Sequence, residues 1–199
     1  SAAEMYKTLR IQYPEASVVR QRENLGHGEG VNSQILCAME AGADYLLSVD
    51  NDVIVDSKAL KAMVQVAEND SQIGLVFPKA ETASGFFLVR IASIKKVGYL
   101  DPRYFLYFDE QDWFARFAQA GYISSSVPEA LGTRECALPA GPSSRAYYYY
   151  QTRNGFYFHR SHRPKVFLWW ALSRLATMAF SELPRAVFEG RQAEWRGRS

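Results

Sequence analysis

Asp50 and Asp52 stand two residues apart in Asp50-Asn51-Asp52, directly after the apolar run holding Tyr45, Leu46, Leu47 and Val49. On an extended segment both carboxylates face one side and can chelate a hard divalent cation through oxygen, an arrangement suited to Mg²⁺ or Mn²⁺ bridging a diphosphate. The alternative is a plain turn with capping side chains. A second acidic group follows an aromatic stretch: Tyr104-Phe105-Leu106-Tyr107-Phe108 runs into Asp109-Glu110-Gln111-Asp112. Three carboxylates in four residues repel one another unless a cation or an Arg compensates, and a carboxylate in such surroundings makes a general base. Acids in a helix's first turn also complement its macrodipole, which accounts for one or two of the three. Arg116, about one helical turn beyond Asp112, can pair with it. Between Asn24 and Gly30 three glycines fall in five positions, freeing the backbone for positive φ or for close approach to a ligand. His27 lies inside that stretch. It can touch a phosphate, although a lone loop histidine is more often incidental.

These residues need a frame to hold them. The spacing predicts a short amphipathic helix over residues 2–11 closed by Pro14, a brief strand over 17–20, and a helix over 31–41 with Val31, Ile35 and Ala38 or Met39 on one face. Residues 44–49 and 73–77 read as buried strands on either side of a helix bearing Leu60, Met63, Val64 and Ala67. A strand at 86–90, a short helix at 91–97 and a helix from the acidic cluster to Gly121 follow. Strands alternating with helices predict an α/β domain with a largely parallel sheet covered on both faces, where ligands collect beyond the carboxyl ends of the strands. The Asp-rich tripeptide lies at such an end.

The chain has 199 residues, 48% of them hydrophobic, enough for a core and for one domain as the natural expectation. Lys and Arg number 23 against 21 Asp and Glu, a net charge of only +2, which gives no bulk attraction to nucleic acid. Cys37 and Cys136 form no metal-ligand spacing and are expected to be free thiols in a reducing compartment. Neither a basic-then-apolar leader nor about 18 uncharged apolar residues in a row occurs, so neither a signal peptide nor a spanning helix is expected. From Lys165 to Leu183 a strongly apolar helix is expected, ending at Pro184. Trp169 and Trp170 with Arg160, Arg163 and Lys165 suggest an interfacial helix on anionic lipid; packing on the core or in a homo-oligomer is the alternative.

The ordered motifs resemble the inverting nucleotide-sugar glycosyltransferases of family 2, which have the GT-A fold, and especially their rhamnosyltransferase-like branch that builds surface polysaccharides. Glu23-Asn24-Leu25-Gly26 with Gly30 and Asn32 is similar to the family's Asn-x-Gly-x-x-x-Gly-x-Asn segment, and Leu46 to Asp52 to its strand and DxD motif. Ser84 to Arg90 with Val97-Gly98-Tyr99-Leu100-Asp101 resembles its acceptor-side strand and turn. Tyr107 to Arg116 with Gly121-Tyr122 resembles its base-bearing block, and Tyr148, Tyr149, Arg153 and Asn154 its closing motif.

The resemblance implies a GT-A mixed sheet flanked by helices over residues 1–160, with a helical apolar extension over 161–199. It implies that Asp50 and Asp52 bind Mg²⁺ or Mn²⁺, and that Asn24, Gly26, Gly30 and Asn32 join them in holding a nucleotide-sugar donor. The base would be Glu110 or Asp109, whose order is reversed from the family's usual Glu-Asp, with Asp112 as third candidate. Acceptor contacts would come from Gly85, Tyr107, Trp113, Arg153 and Asn154, although Arg153 and Asn154 serve equally well as a helix-start pair. Where many relatives carry a histidine this chain has Arg134, which grips phosphate but cannot ligate a metal. The family's first strand and its nucleobase-holding segment are expected before Ser1. A glycan or lipid-linked acceptor, no nucleic-acid partner, and a cytoplasmic protein peripheral on the inner face of the membrane complete the expectation. The rival class is a non-catalytic GT-A-like module that binds carbohydrate or a partner through its aromatics; a nucleotidyltransferase on a similar sheet is a third.

Overall fold

The computed structural model describes residues 2–78, 85–128, 130, 132–134 and 145–177. The chain forms two compact units, Ser1–Gly141 and Pro142–Ser199. The first holds α1 (Ala2–Gln12), α2 (His27–Glu40), β1 (Tyr45–Val49), β2 (Val53–Val55), α3 (Ala59–Asn69), β3 (Ile73–Pro78), β4 (Phe86–Arg90), α4 (Ile91–Val97), α5 (Asp109–Gln119), β5 (Ile123–Val127) and β6 (Gly132–Arg134). The second holds α6 (Arg145–His162) and α7 (Pro164–Thr177). α6 runs on through residue 160, where the sequence suggested a division. Cys37 is a free thiol, and Cys136 lies outside the described residues.

Among the described residues the main sheet has strand order β1-β4-β3-β5, and β2 pairs with β6 in a separate ladder. β3 and β5 run parallel, but β4 is antiparallel to both β1 and β3. The sheet is therefore mixed rather than largely parallel. Only seven residues separate Pro78 from Phe86, too few for the crossover that a parallel return requires, so β4 comes back the other way.

β4 is buried on both sides, and its alternation feeds two cores. Phe87 and Val89 join Val31, Ile35, Leu75, Ile94, Trp113 and Phe117 beneath α2, α4 and α5. Phe86 and Leu88 join Met63, Ala67, Val76 and Val127 against α3. This sandwich fixes the ends of β1 and β4 relative to the starts of α2 and α5.

The turn after α4 is clamped from three directions. Asn32 on α2 donates Nδ2–H to Leu100 O at 3.0 Å and accepts Leu100 N–H on Oδ1 at 2.9 Å. Trp113 donates its indole N–H to Gly98 O at 2.8 Å, and Arg116 donates to Val97 O, Tyr99 O and Asp112. A buried amide satisfied on both its groups locks α2 and α5 to one shared turn.

Two expected elements differ. No strand forms over residues 17–20; the residue that follows, Gln21, is tied to α2, its Nε2 donating to Glu29 O and to Ser33 Oγ. The glycine stretch is also not wholly a loop, since α2 starts at His27 and takes Gly28 and Gly30 into its first turn.

Candidate functional site

Asp50 follows the last residue of β1 and donates its backbone N–H to Gly85 O at 2.7 Å, extending the β1–β4 pairing by one step. Val53 N–H then donates to Asp50 O at 3.1 Å. Asp50-Asn51-Asp52 is thus a turn leading into β2 rather than an extended segment, and it presents its carboxylates beyond the end of a buried strand. Both acids are half-buried, and Oδ1 of Asp52 is screened from solvent. Gly85 has φ +76°, and a Cβ built on it would overlap the Asp50 carboxylate. Gly85 therefore makes room for Asp50. Gly85→Ala combines left-handed strain with displacement of that carboxylate. It should cost about 1–3 kcal/mol of stability in a denaturant titration.

The acidic group at the start of α5 is fed by an unusual backbone. Phe105, Tyr107 and Phe108 all have positive φ, 61°, 63° and 66°, a conformation that costs a non-glycine residue about 1 kcal/mol or more and persists only where the surroundings impose it. The surroundings are the start of α2. Phe105 O accepts His27 N–H at 2.8 Å, and Gly26, at φ +90°, lies so close to the Phe105 backbone that no Cβ fits. A Cβ on Gly28 would touch Asp109 Oδ2 at 3.5 Å. Gly26 is therefore spent on bringing the start of α2 against the loop before α5, whereas a Cβ on Gly28 would make only ordinary contact. A Cβ on Gly30 would meet nothing within 4 Å, and this residue lines a cavity of about 640 Å³ with Ser17, Gln21 and Leu46.

That close approach places His27 between the two acidic groups. Its Nδ1 is 2.6 Å from Asp109 Oδ2, and its Nε2 is 3.5 Å from Asp50 Oδ1. The hydrogen bond to Asp109, then that to Asp50, raises the imidazole pKa from 6.5 to about 10 against the opposing effect of burial; the charges of Asp109 and Glu110 add to the rise. At neutral pH the ring is an imidazolium that donates toward both acids. Two clusters separated by some sixty residues thus meet on one cation.

Within the second cluster the acids diverge. Asp109 is 4% exposed and bound to His27. Asp112 accepts from Tyr104 Oη at 3.2 Å and from Arg116 Nε at 2.9 Å, the pairing the spacing predicted, so it holds α5 to the clamped turn. Glu110 is partly exposed, near enough to His27 for its charge to act on the ring. The remaining candidates fall as follows. Asn32 and Trp113 are buried in the clamp and act on the site through the turn they hold. Asn24 Oδ1 accepts Gly26 N–H at 3.0 Å, shaping the entry to α2. Tyr107 lies half-buried in the strained loop. Arg134 is paired in register with Val53, one residue past Asp52, while its side chain lies outside the described residues. Arg153 and Asn154 belong to the second unit, where Arg153 Nε donates to Asn154 Oδ1 at 2.8 Å and its guanidinium lies over the Tyr149 and Tyr150 rings. His27 is the residue that sequence reasoning undervalued; only its place at a helix start inside a glycine-rich stretch hinted at it.

Residues 1–123 match the model of glycosyl transferase family 2. A search of curated proteins finds no match. Among solved structures the chain resembles a mannosyltransferase, PcManGT, from Pyrobaculum calidifontis in complex with GDP-Man and Mn²⁺, at TM-score 0.61 and 13% identity, covering 97% of this chain and 67% of that one. It also resembles GalNAc-T7 with UDP, GalNAc and Mn²⁺, at TM-score 0.55 and 14% identity, covering 82% of this chain and 42% of that one. The chain thus spans less than half of the second relative. The mixed sheet flanked by helices is the GT-A fold.

Proposed function

The chain belongs to glycosyl transferase family 2, and on that premise we propose that it transfers a sugar from a nucleotide-sugar donor to an acceptor hydroxyl with inversion at the anomeric carbon. The observation that carries this reading is the convergence of Asp50, Asp109 and Glu110 on His27, which gives the family's two acidic motifs one shared place.

Such chemistry calls for a divalent cation, and the structurally similar enzymes carry Mn²⁺. Among the described residues no group of three ligating side chains forms. Asp50 and Asp52 nonetheless fit the need: two carboxylates, one with a buried oxygen, suffice for a cation that takes its other ligands from water and substrate phosphates. These two residues would hold Mg²⁺ or Mn²⁺, which supplies Lewis-acid stabilisation to a departing diphosphate. His27 orients Asp50 and Asp109 toward each other and offsets their mutual repulsion. Glu110, the more open of its pair, accepts the acceptor hydroxyl's proton as that oxygen bonds to the anomeric carbon and the bond to the diphosphate oxygen breaks.

The motif order also supports a glycan or lipid-linked acceptor in surface polysaccharide synthesis and a rhamnosyltransferase-like specificity. Isothermal calorimetry with a nucleoside diphosphate, with and without Mn²⁺, tests the reading. Heat that requires the cation is expected. The absence of any Mn²⁺-dependent nucleotide heat would contradict the reading and favour a carbohydrate- or partner-binding module.

A further inference from the structure

The helical pair of the second unit carries its charge differently from the rest of the chain. Residues 145–177 contain six Arg or Lys and no Asp or Glu, in a chain whose total is +2. Three of those cations, Arg160, Arg163 and Lys165, gather at the tight corner where α6 ends at His162 and α7 begins at Pro164.

α7 is apolar on more than one side. Phe167 and Trp170 turn inward, with their rings 5.9 and 5.2 Å from Phe156 of α6, and Arg174 donates to Thr152. Opposite them, Leu168, Leu172 and Leu175 follow four and three residues apart, with Trp169 beside them, forming a second apolar stripe. That stripe faces solvent: Trp169 is 76% exposed, Leu168 64% and Leu172 51%. On the inward side, a groove of about 350 Å³ is lined by Arg153, Arg160, Phe156, Tyr157 and Phe167.

We propose that α7 and the corner before it dock on the surface of an anionic phospholipid bilayer. The leucines enter the acyl boundary, Trp169 settles at headgroup level, and Arg160, Arg163 and Lys165 meet lipid phosphates. No helix among the described residues is long and apolar enough to cross a membrane. Charge decides among occupants. A second copy would set acid-free, cationic faces against each other and repel, whereas a nucleic acid would satisfy the cations and leave the leucine stripe in water. An anionic bilayer satisfies both.

Flotation with vesicles of one part phosphatidylglycerol to two parts phosphatidylcholine, against phosphatidylcholine alone, tests the proposal on the whole protein. Preferential partition to the anionic vesicles is expected, with a blue shift in tryptophan emission, and release as salt is raised to about 0.5 M. Arg160→Glu with Lys165→Glu should lower partition at least about tenfold, since each cation near such a surface contributes measurably. Both residues are exposed, so the fold should survive, and circular dichroism checks it. Trp169→Ser should weaken binding and abolish the emission shift. Equal partition to both vesicle types, binding to neither, or a stable dimer whose interface shields Trp169 would overturn the proposal. So would retention on RNA without vesicle binding.

Discussion

Glu110→Gln is expected to lower turnover by about 10²–10⁴-fold while leaving the donor's apparent affinity and the unfolding midpoint close to those of the unaltered protein. The substitution keeps size and hydrogen-bonding reach but removes the ability to take a proton. The neighbouring acid provides the contrast. Asp109 is nearly fully buried and bound to His27 at 2.6 Å, so Asp109→Asn removes the partner that holds an imidazolium between two clusters. It should destabilise the protein and weaken donor binding as well as slow transfer. Steady-state kinetics on both variants separate the roles: a fall in kcat alone marks the base, whereas a joint change in kcat, KM and stability marks the residue that positions. If Asp109→Asn gave the pure kcat loss and Glu110→Gln gave none, the two assignments would be exchanged.

Asp52→Ala is the second large effect. With two carboxylates available, removing one takes away about half of the protein's share of a cation site, and ligand charge count sets affinity over several decades. Nucleoside diphosphate binding in the presence of Mn²⁺ should weaken by about a hundredfold, and transfer should fall with it. The residue sits in a turn, so stability should change by no more than about 0.5 kcal/mol. Calorimetry against Mn²⁺ and nucleotide together, with a thermal melt as control, measures both. Unchanged Mn²⁺-dependent binding in this variant would remove Asp52 from the cation site.

The acidic clusters were legible in the sequence because they are dense and local: Asp50 and Asp52 end an apolar strand, and Asp109 to Asp112 open an amphipathic helix whose Arg116 pairs as spacing predicts. The sequence also showed which elements exist, since α3 and α5 carry helical periodicity and β1, β3 and β4 are short apolar runs between turn signals. Direction was harder to read. Continuous apolar character in β4 says that both its faces are buried and nothing about which way it runs, and the short link from β3 decided that. His27 escaped because its importance is entirely non-local, arising from a partner 82 residues away. A glycine-rich stretch signals freedom for close approach without saying to what, and Gly26 uses that freedom to approach the Phe105 backbone of the chain itself. Motif position also says nothing of the structural tasks: Gly85 makes space for the Asp50 carboxylate, and Asn32 and Trp113 hold one turn between α2 and α5.

Anomalous diffraction at the manganese edge, from crystals grown with Mn²⁺ and a nucleoside diphosphate, addresses the meeting of the two clusters most directly. A manganese peak against the Asp50 and Asp52 carboxylates, with Asp109 and Glu110 lining the same cleft, is the expected result. A peak remote from both aspartates, or a cleft in which Glu110 faces away from the nucleotide, would contradict it.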